Sequence, residues 1–168
     1  PCYFGSALKL CGIAALLEGI CMLGMEQAYP EAFAARVYKI SRDAQGNRLT
    51  HVKITGGKLK VRDLLTNQTK GKGAEACWEE KVSQIRIYSG ASFRSVNEVQ
   101  AGQICALTGL THTHSGEGLG AERDSELPVL EPVLSYQICL PDDCDVHQTY
   151  RKLLQLEEEE PELHIAWN

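Results

Sequence analysis

HVKITGGKLKVRD, residues 51–63, alternates apolar and polar side chains on both sides of a glycine pair. Alternation with a period of two marks a half-buried β-strand, because successive side chains on a strand point to opposite faces. Reading the two glycines as the positive-φ residues of a tight hairpin pairs Val52 and Ile54 with Leu59 and Val61 on the buried side. Lys53, Lys58, Lys60 and Arg62 then share the outward face as a basic comb.

The same period extends from Ala32 to about Leu119, through "FAARVYKI", "KVSQIRIY" and "GQICALTGL", each bounded by Gly, Asn or Asp clusters. Several short strands at this spacing predict a closed or nearly closed antiparallel β-barrel. The pattern differs at both ends. Near the start, Ile13, Leu16, Leu17, Ile20 and Leu23 recur at helical spacing before Gly24, and the run Leu10 to Met25 is short for a bilayer span and contains Glu18. It reads as a buried helix, and no membrane partner is expected. Near the end, "VLSYQICLP" reads as a strand and "DVHQTYRKLLQLEEEE" as a helix with Asp145 at its N-cap and Pro161 at its stop. The fold class expected is mainly β, with an N-terminal helix and a C-terminal strand–helix piece of an α/β domain.

At 168 residues, 43% hydrophobic and 23% charged, the chain falls among ordinary globular proteins. Its net charge of −5 conceals an asymmetry. Residues 36–94 hold thirteen Lys and Arg against five Asp and Glu, whereas residues 117–168 hold three against thirteen. A basic middle segment points to an anionic partner, and a solvated lysine-rich sheet face is the competing reading.

Chemistry is sparsely signalled. Seven cysteines without a CxxC pair, mostly inside apolar runs, read as reduced, buried thiols. His112 and His114 would lie on one side of an extended chain, yet no third His or Cys stands nearby, so a loop is favoured over a metal site. The acidic run Glu157–Glu160 reads as a solvated helix end, and no GxxxxGK[ST] occurs, which removes the P-loop route to nucleotide hydrolysis.

Three stretches in order resemble the translational GTPases of the elongation factor G class, nearest to the ribosomal-protection tetracycline-resistance branch. "GSAL", residues 5–8, is similar to the family's last guanine-contacting motif; "AGQICALTGL", residues 101–110, to the signature of its second domain; "LLQLEEEEPEL", residues 153–163, to the helix opening its third domain. Gln103 stands where the family has Asp, and "GEGL" at 116–119 where it has Gly-Asp-Thr-Leu, so the hydrogen bonds of those positions are the ones to inspect.

The resemblance implies a cytoplasmic piece of a longer chain, in keeping with Pro1 in place of an initiator methionine. Residues 1–28 would end a GTPase domain, 29–127 form the second-domain barrel, and 128–168 begin a third domain. It further implies that Ser6, Ala7 and Leu8 meet the guanine base, that GTP and Mg²⁺ belong to the parent protein, and that the GTPase domain of the same chain is a partner. Lys53, Lys58, Lys60 and Arg62 would meet phosphates of small-subunit rRNA. Aromatic residues for base stacking, Phe93, Tyr88 and Trp78, are sparse, which argues against a single-strand binding platform. Two other classes stay open: a barrel that docks on a protein partner, and a small thiol- or metal-dependent enzyme using Cys139, Cys144 and the two histidines. The strand expected at Val133–Leu140 would have a free edge able to pair with a second copy.

Overall fold

A computed structural model describes residues 1–24, 27–67, 78–125 and 134–167. It contains helix α1 (Ile13–Leu23), strands β1 (Ala34–Arg42), β2 (Arg48–Gly56), β3 (Lys58–Lys60), β4 (Leu64–Thr66), β5 (Glu79–Lys81), β6 (Gln84–Ser89), β7 (Ser92–Val96), β8 (Glu98–Gln100), β9 (Ile104–Thr108) and β10 (Gly118–Gly120), then helix α2 (Val146–Glu159). A 3₁₀ turn, Pro161–Leu163, follows. The fold is mainly β, and every strand pairing among the described residues is antiparallel.

Six strands form one sheet in the order β10-β1-β2-β9-β6-β7, and β3-β8 and β4-β5 form two short ladders. β2 and β3 are consecutive pieces of one bent strand, as are β8 and β9, and the two bent strands pair along their lengths: Lys53 faces Ile104 in the first part, Lys58 faces Gln100 in the second. The bend turns the sheet through a barrel corner. At that corner the Ile54 amide bonds the Gln103 carbonyl, and the Ala101 amide bonds the Gly57 carbonyl.

This corner replaces the hairpin expected at residues 56 and 57. Both edges of β2 are already occupied, by β1 and β9, so β3 has no edge of β2 to fold back on. Only Gly57 has positive φ, at 57°, whereas the commonest two-residue hairpin turn needs it at both central positions. A Cβ on Gly57 would stand 2.6 Å from the Glu31 carbonyl oxygen, so the corner has no room for a side chain.

The alternation of the sequence does fill the core. Val37, Ile40, Val52, Ile54, Leu59, Ile85, Leu107 and Leu119 are fully or almost fully buried in one cluster. Val37 and Ile40 both point inward although three positions apart, because a bulge between Val37 and Lys39 inserts one residue into β1. Burying such a side chain contributes roughly 1.5–3 kcal/mol.

The ends depart from expectation. α1 forms over the expected residues and stops at Gly24, but Leu16, Leu17, Ile20 and Leu23 are exposed; only Gly19 is buried, packed against the Tyr3 ring. Residues 134–140 are not a strand: Leu134, Tyr136 and Ile138 are exposed, and a segment with no sheet to pair with has no ladder for its backbone. Val133 and the expected boundary at 127/128 lie outside the described residues. Among the described cysteines only Cys105 is buried; Cys2, Cys11, Cys21, Cys139 and Cys144 are exposed. Cys77 lies outside the described residues.

α2 keeps its expected cap, the Asp145 carboxylate accepting from the Gln148 amide at 3.0 Å. Its acidic end is not merely solvated. Glu158 bonds Arg42 at 2.7 Å and Arg48 at 3.2 Å, joining α2 to β1 and β2.

Candidate functional site

The four basic residues of 53–62 all reach solvent, but around a corner and not along one strand face. Lys58 and Lys60 flank the buried Leu59 on β3, so strand alternation turns both outward. Lys60 Nζ lies 3.5 Å from a Glu98 carboxylate oxygen directly across the ladder. Arg62 sits in the turn beyond β3 at φ 75°, its amide bonded to the Val82 carbonyl. Among the described residues, Lys53, Lys58 and Arg62 have no ion-pair partner, which leaves three cations free for an anion.

Lys53 belongs to a neighbouring surface. It stands opposite Arg36 on β1, and the two line an open cleft of about 620 Å³ with Gln27, Tyr29, Tyr38 and Glu122. Arg36 bonds Glu122 at 2.6 Å. Burial works against the charged form of Glu122, but Thr55 and Arg36 outweigh it and hold its pKa below the usual carboxylate range. The cleft therefore carries one compensated cation and one uncompensated one.

The loop at 110–117 is a fastened connection. Glu80 accepts from the Thr111 hydroxyl and, at 2.7 Å, from the Thr111 amide, and lies 2.9 Å from His112 Nδ1. The Thr113 hydroxyl, buried, meets the hydroxyl of Thr50 at 2.8 Å and accepts from Arg48. Glu117, 1% exposed, accepts from Trp78 Nε1 at 2.9 Å and from the His114 amide at 3.1 Å. The two histidines thus serve different carboxylates, and no cluster of three metal-ligating side chains occurs among the described residues.

Both departures from the family pattern keep a hydrogen bond. Gln103 accepts from the Gln100 amide at 2.7 Å, closing the turn between β8 and β9, and Glu117 in "GEGL" makes the two bonds just described.

Residues 5–8 form a turn closed by reciprocal bonds between Ser6 and Cys11. The Ser6 hydroxyl accepts from the Lys9 amide at 3.3 Å, and Leu8 is 94% exposed. The turn is open to a ligand, though Ser6 spends its own amide internally.

Sequence reasoning missed the partners that the fold supplies. Arg42 and Arg48 counted only as basic residues, yet they hold α2; Glu117 had no visible partner, and its mate Trp78 lies thirty-nine positions away. Tyr38 and His51 were not counted among the aromatic candidates.

The architecture and these positions match one family. The model of elongation factor G domain 2 matches residues 32–121, more than half of the chain. The chain belongs to the elongation factor G domain 2 family. It is 25% identical over 193 aligned positions to elongation factor G of Amoebophilus asiaticus (strain 5a2) and 28% identical over 177 to the tetracycline resistance protein TetP of Clostridium perfringens. Each alignment covers 100% of this chain and 26% of the relative. Elongation factor G of Ureaplasma parvum is 28% identical over 142 positions, covering 82% of this chain and 20% of its own length. The chain thus spans about a quarter of the length of these elongation factor G-like relatives, and the domain 2 match falls on its β-rich middle. No described helix is long and apolar enough to cross a membrane.

Proposed function

We propose that this chain is the ribosome-facing barrel region of an elongation factor G-like translational GTPase of the tetracycline-resistance, ribosomal-protection type. The observation that carries the reading is the elongation factor G domain 2 match over a barrel whose Lys53, Lys58 and Arg62 stand exposed and have no ion-pair partner among the described residues. Such cations meet rRNA phosphates by charge and shape, without reading bases. Lys60, held near Glu98, joins them at the edge of the patch.

The barrel performs no bond chemistry. It relays the state of a GTPase domain to the small-subunit contact as a rigid body in the cytoplasm. GTP and Mg²⁺ act in the parent protein. What this chain offers them is the turn at Ser6, Ala7 and Leu8, where the Ala7 and Leu8 amides have no partner among the described residues and suit a purine carbonyl edge.

The test is co-sedimentation of the chain with purified small ribosomal subunits. Binding that falls with salt supports the reading, and no retention at low salt contradicts it.

A further inference from the structure

The outer face of the six-stranded sheet carries a row of rings that the lysine patch does not use. Tyr38 on β1, His51 on β2, Tyr88 on β6 and Phe93 on β7 follow one another with centroids 6.0, 6.1 and 5.4 Å apart. β9 runs between β2 and β6, and its residue at this level is Ala106, paired in register with both His51 and Arg86. A methyl group there is small enough for the rings on either side to meet. The Arg86 guanidinium lies 4.4 Å from the Phe93 centroid, and Ser41 Oγ, 2.7 Å from His51 Nε2, fixes the imidazole.

These rings do not complete the core. Tyr38, Tyr88 and Phe93 are 47%, 37% and 47% exposed. At Tyr38 the row opens into the cleft of about 620 Å³, where Arg36 and Lys53 stand side by side. Arg36 is bonded to Glu122 at 2.6 Å and Arg86 to Asp43 at 3.0 Å, so Lys53 supplies the uncompensated charge and Arg86 serves as a flat stacking plane.

We propose that this row binds single-stranded RNA, with unpaired bases stacked on Tyr38, Tyr88 and Phe93 and the backbone phosphates led toward Lys53 and Arg36. Base–aromatic stacking beside a cationic groove is how single strands are held without sequence preference. An apolar protein surface would match the rings and leave Lys53, which has no ion-pair partner among the described residues, buried without one, whereas a strand of nucleotides matches both. The choice of RNA rests on the ribosome reading above. The row itself does not, because it lies on a different sheet from Lys58 and Lys60 and from the turn that carries Arg62.

Fluorescence anisotropy with labelled oligouridylate and oligoadenylate of about a dozen nucleotides, and with the duplex of the two, separates the surfaces. The single strands bind more tightly than the duplex. Tyr88→Leu and Phe93→Leu, made separately and each checked for an unchanged melting temperature, weaken the single strands roughly tenfold and spare the duplex. Neutralising Lys58, Lys60 and Arg62 to Gln does the reverse, so failure of the lysine patch and failure of the row leave different records. Equal affinity for single strand and duplex, unchanged binding by both leucine variants, or no binding up to about 1 mM overturns the proposal. So does retention of isolated small-subunit proteins in place of RNA.

Discussion

Arg48 and Glu158 lie 3.2 Å apart and join the start of β2 to the end of α2, 110 residues later in the chain. Arg42 shares the same carboxylate at 2.7 Å and approaches Glu159 at 3.7 Å. The basic excess of the middle segment and the acidic excess of the C-terminal one are therefore partly spent on each other. Among the described residues, Lys53, Lys58 and Arg62 are part of what remains for an external anion, with Lys39, Lys81 and Arg94 also outside these ion pairs.

Glu158→Gln should loosen this junction without unfolding the barrel. Glu158 is partly exposed, so the pair contributes less than about 1 kcal/mol. The expected result is faster hydrogen exchange across α2, with the strand amides unchanged.

Removing the carboxylate of the buried Glu117 has a larger consequence, because the partly buried bonds from Trp78 Nε1 and the His114 amide both lose their acceptor. Glu117→Leu should destabilise by about 1–3 kcal/mol. Glu117→Gln keeps an oxygen acceptor and should cost less. Urea unfolding followed by tryptophan fluorescence measures both.

Gly57→Ala places a methyl group at φ 57° and against the Glu31 carbonyl. A destabilisation exceeding about 1 kcal/mol is expected, visible as a lower urea midpoint. Gly46 is a useful contrast: its φ is 82°, but a Cβ there meets nothing within 4 Å, so only the backbone conformation opposes the change.

Stability should depend on pH in two windows. Burial, aided by nearby Lys39, lowers the pKa of His51 below its usual 6.5. The unfolded chain therefore takes up this proton first as pH falls, and stability present above about 6.5 is lost on passing down to the folded-state value. Asp43 is held at about 2, chiefly by the Asn47 side chain against a smaller opposing burial, with the Asn47 amide and Arg86 assisting. Its contribution is present above the unfolded pKa near 3.8 and is lost as pH falls toward about 2. Melting temperatures across pH should lose the upper step in His51→Asn and show a smaller lower step in Asp43→Asn, with Glu80 and Glu122, also held below the usual carboxylate range, supplying the rest.

Cysteine reactivity separates the core from the ends. Burial pushes the Cys105 thiol up to about 12, so it should resist iodoacetamide until the chain unfolds. Cys2, Cys11, Cys21, Cys139 and Cys144 are exposed and should alkylate under native conditions, as peptide mass spectrometry would record.

Alternation within each strand was legible because the side chain of every second residue must enter the core, and Val52, Ile54, Leu59 and Ile85 do so. The Asp145 cap and the Pro161 stop were legible for similar local reasons. Pairing between distant segments was not. The two glycines gave no sign that β2 was already flanked by β1 and β9, and the bulge that turns Tyr38 outward depends on β2, not on the residues of β1. The hydrogen bonds of Glu117 and Arg48 span tens of residues and carry no local pattern. The apolar spacing of α1 marked a helix correctly, but spacing alone does not say what covers it.

In the function proposed above, exposed cations of this barrel neutralise phosphates of the small subunit. Its most direct test is the salt dependence of small-subunit binding for the native chain and for the variant with Lys58, Lys60 and Arg62 replaced by Gln. Weaker binding with a logarithmic salt slope shallower by about 0.7–0.9 for each phosphate no longer neutralised, at an unchanged melting temperature, is the predicted result. Identical affinity and identical slope would contradict the account.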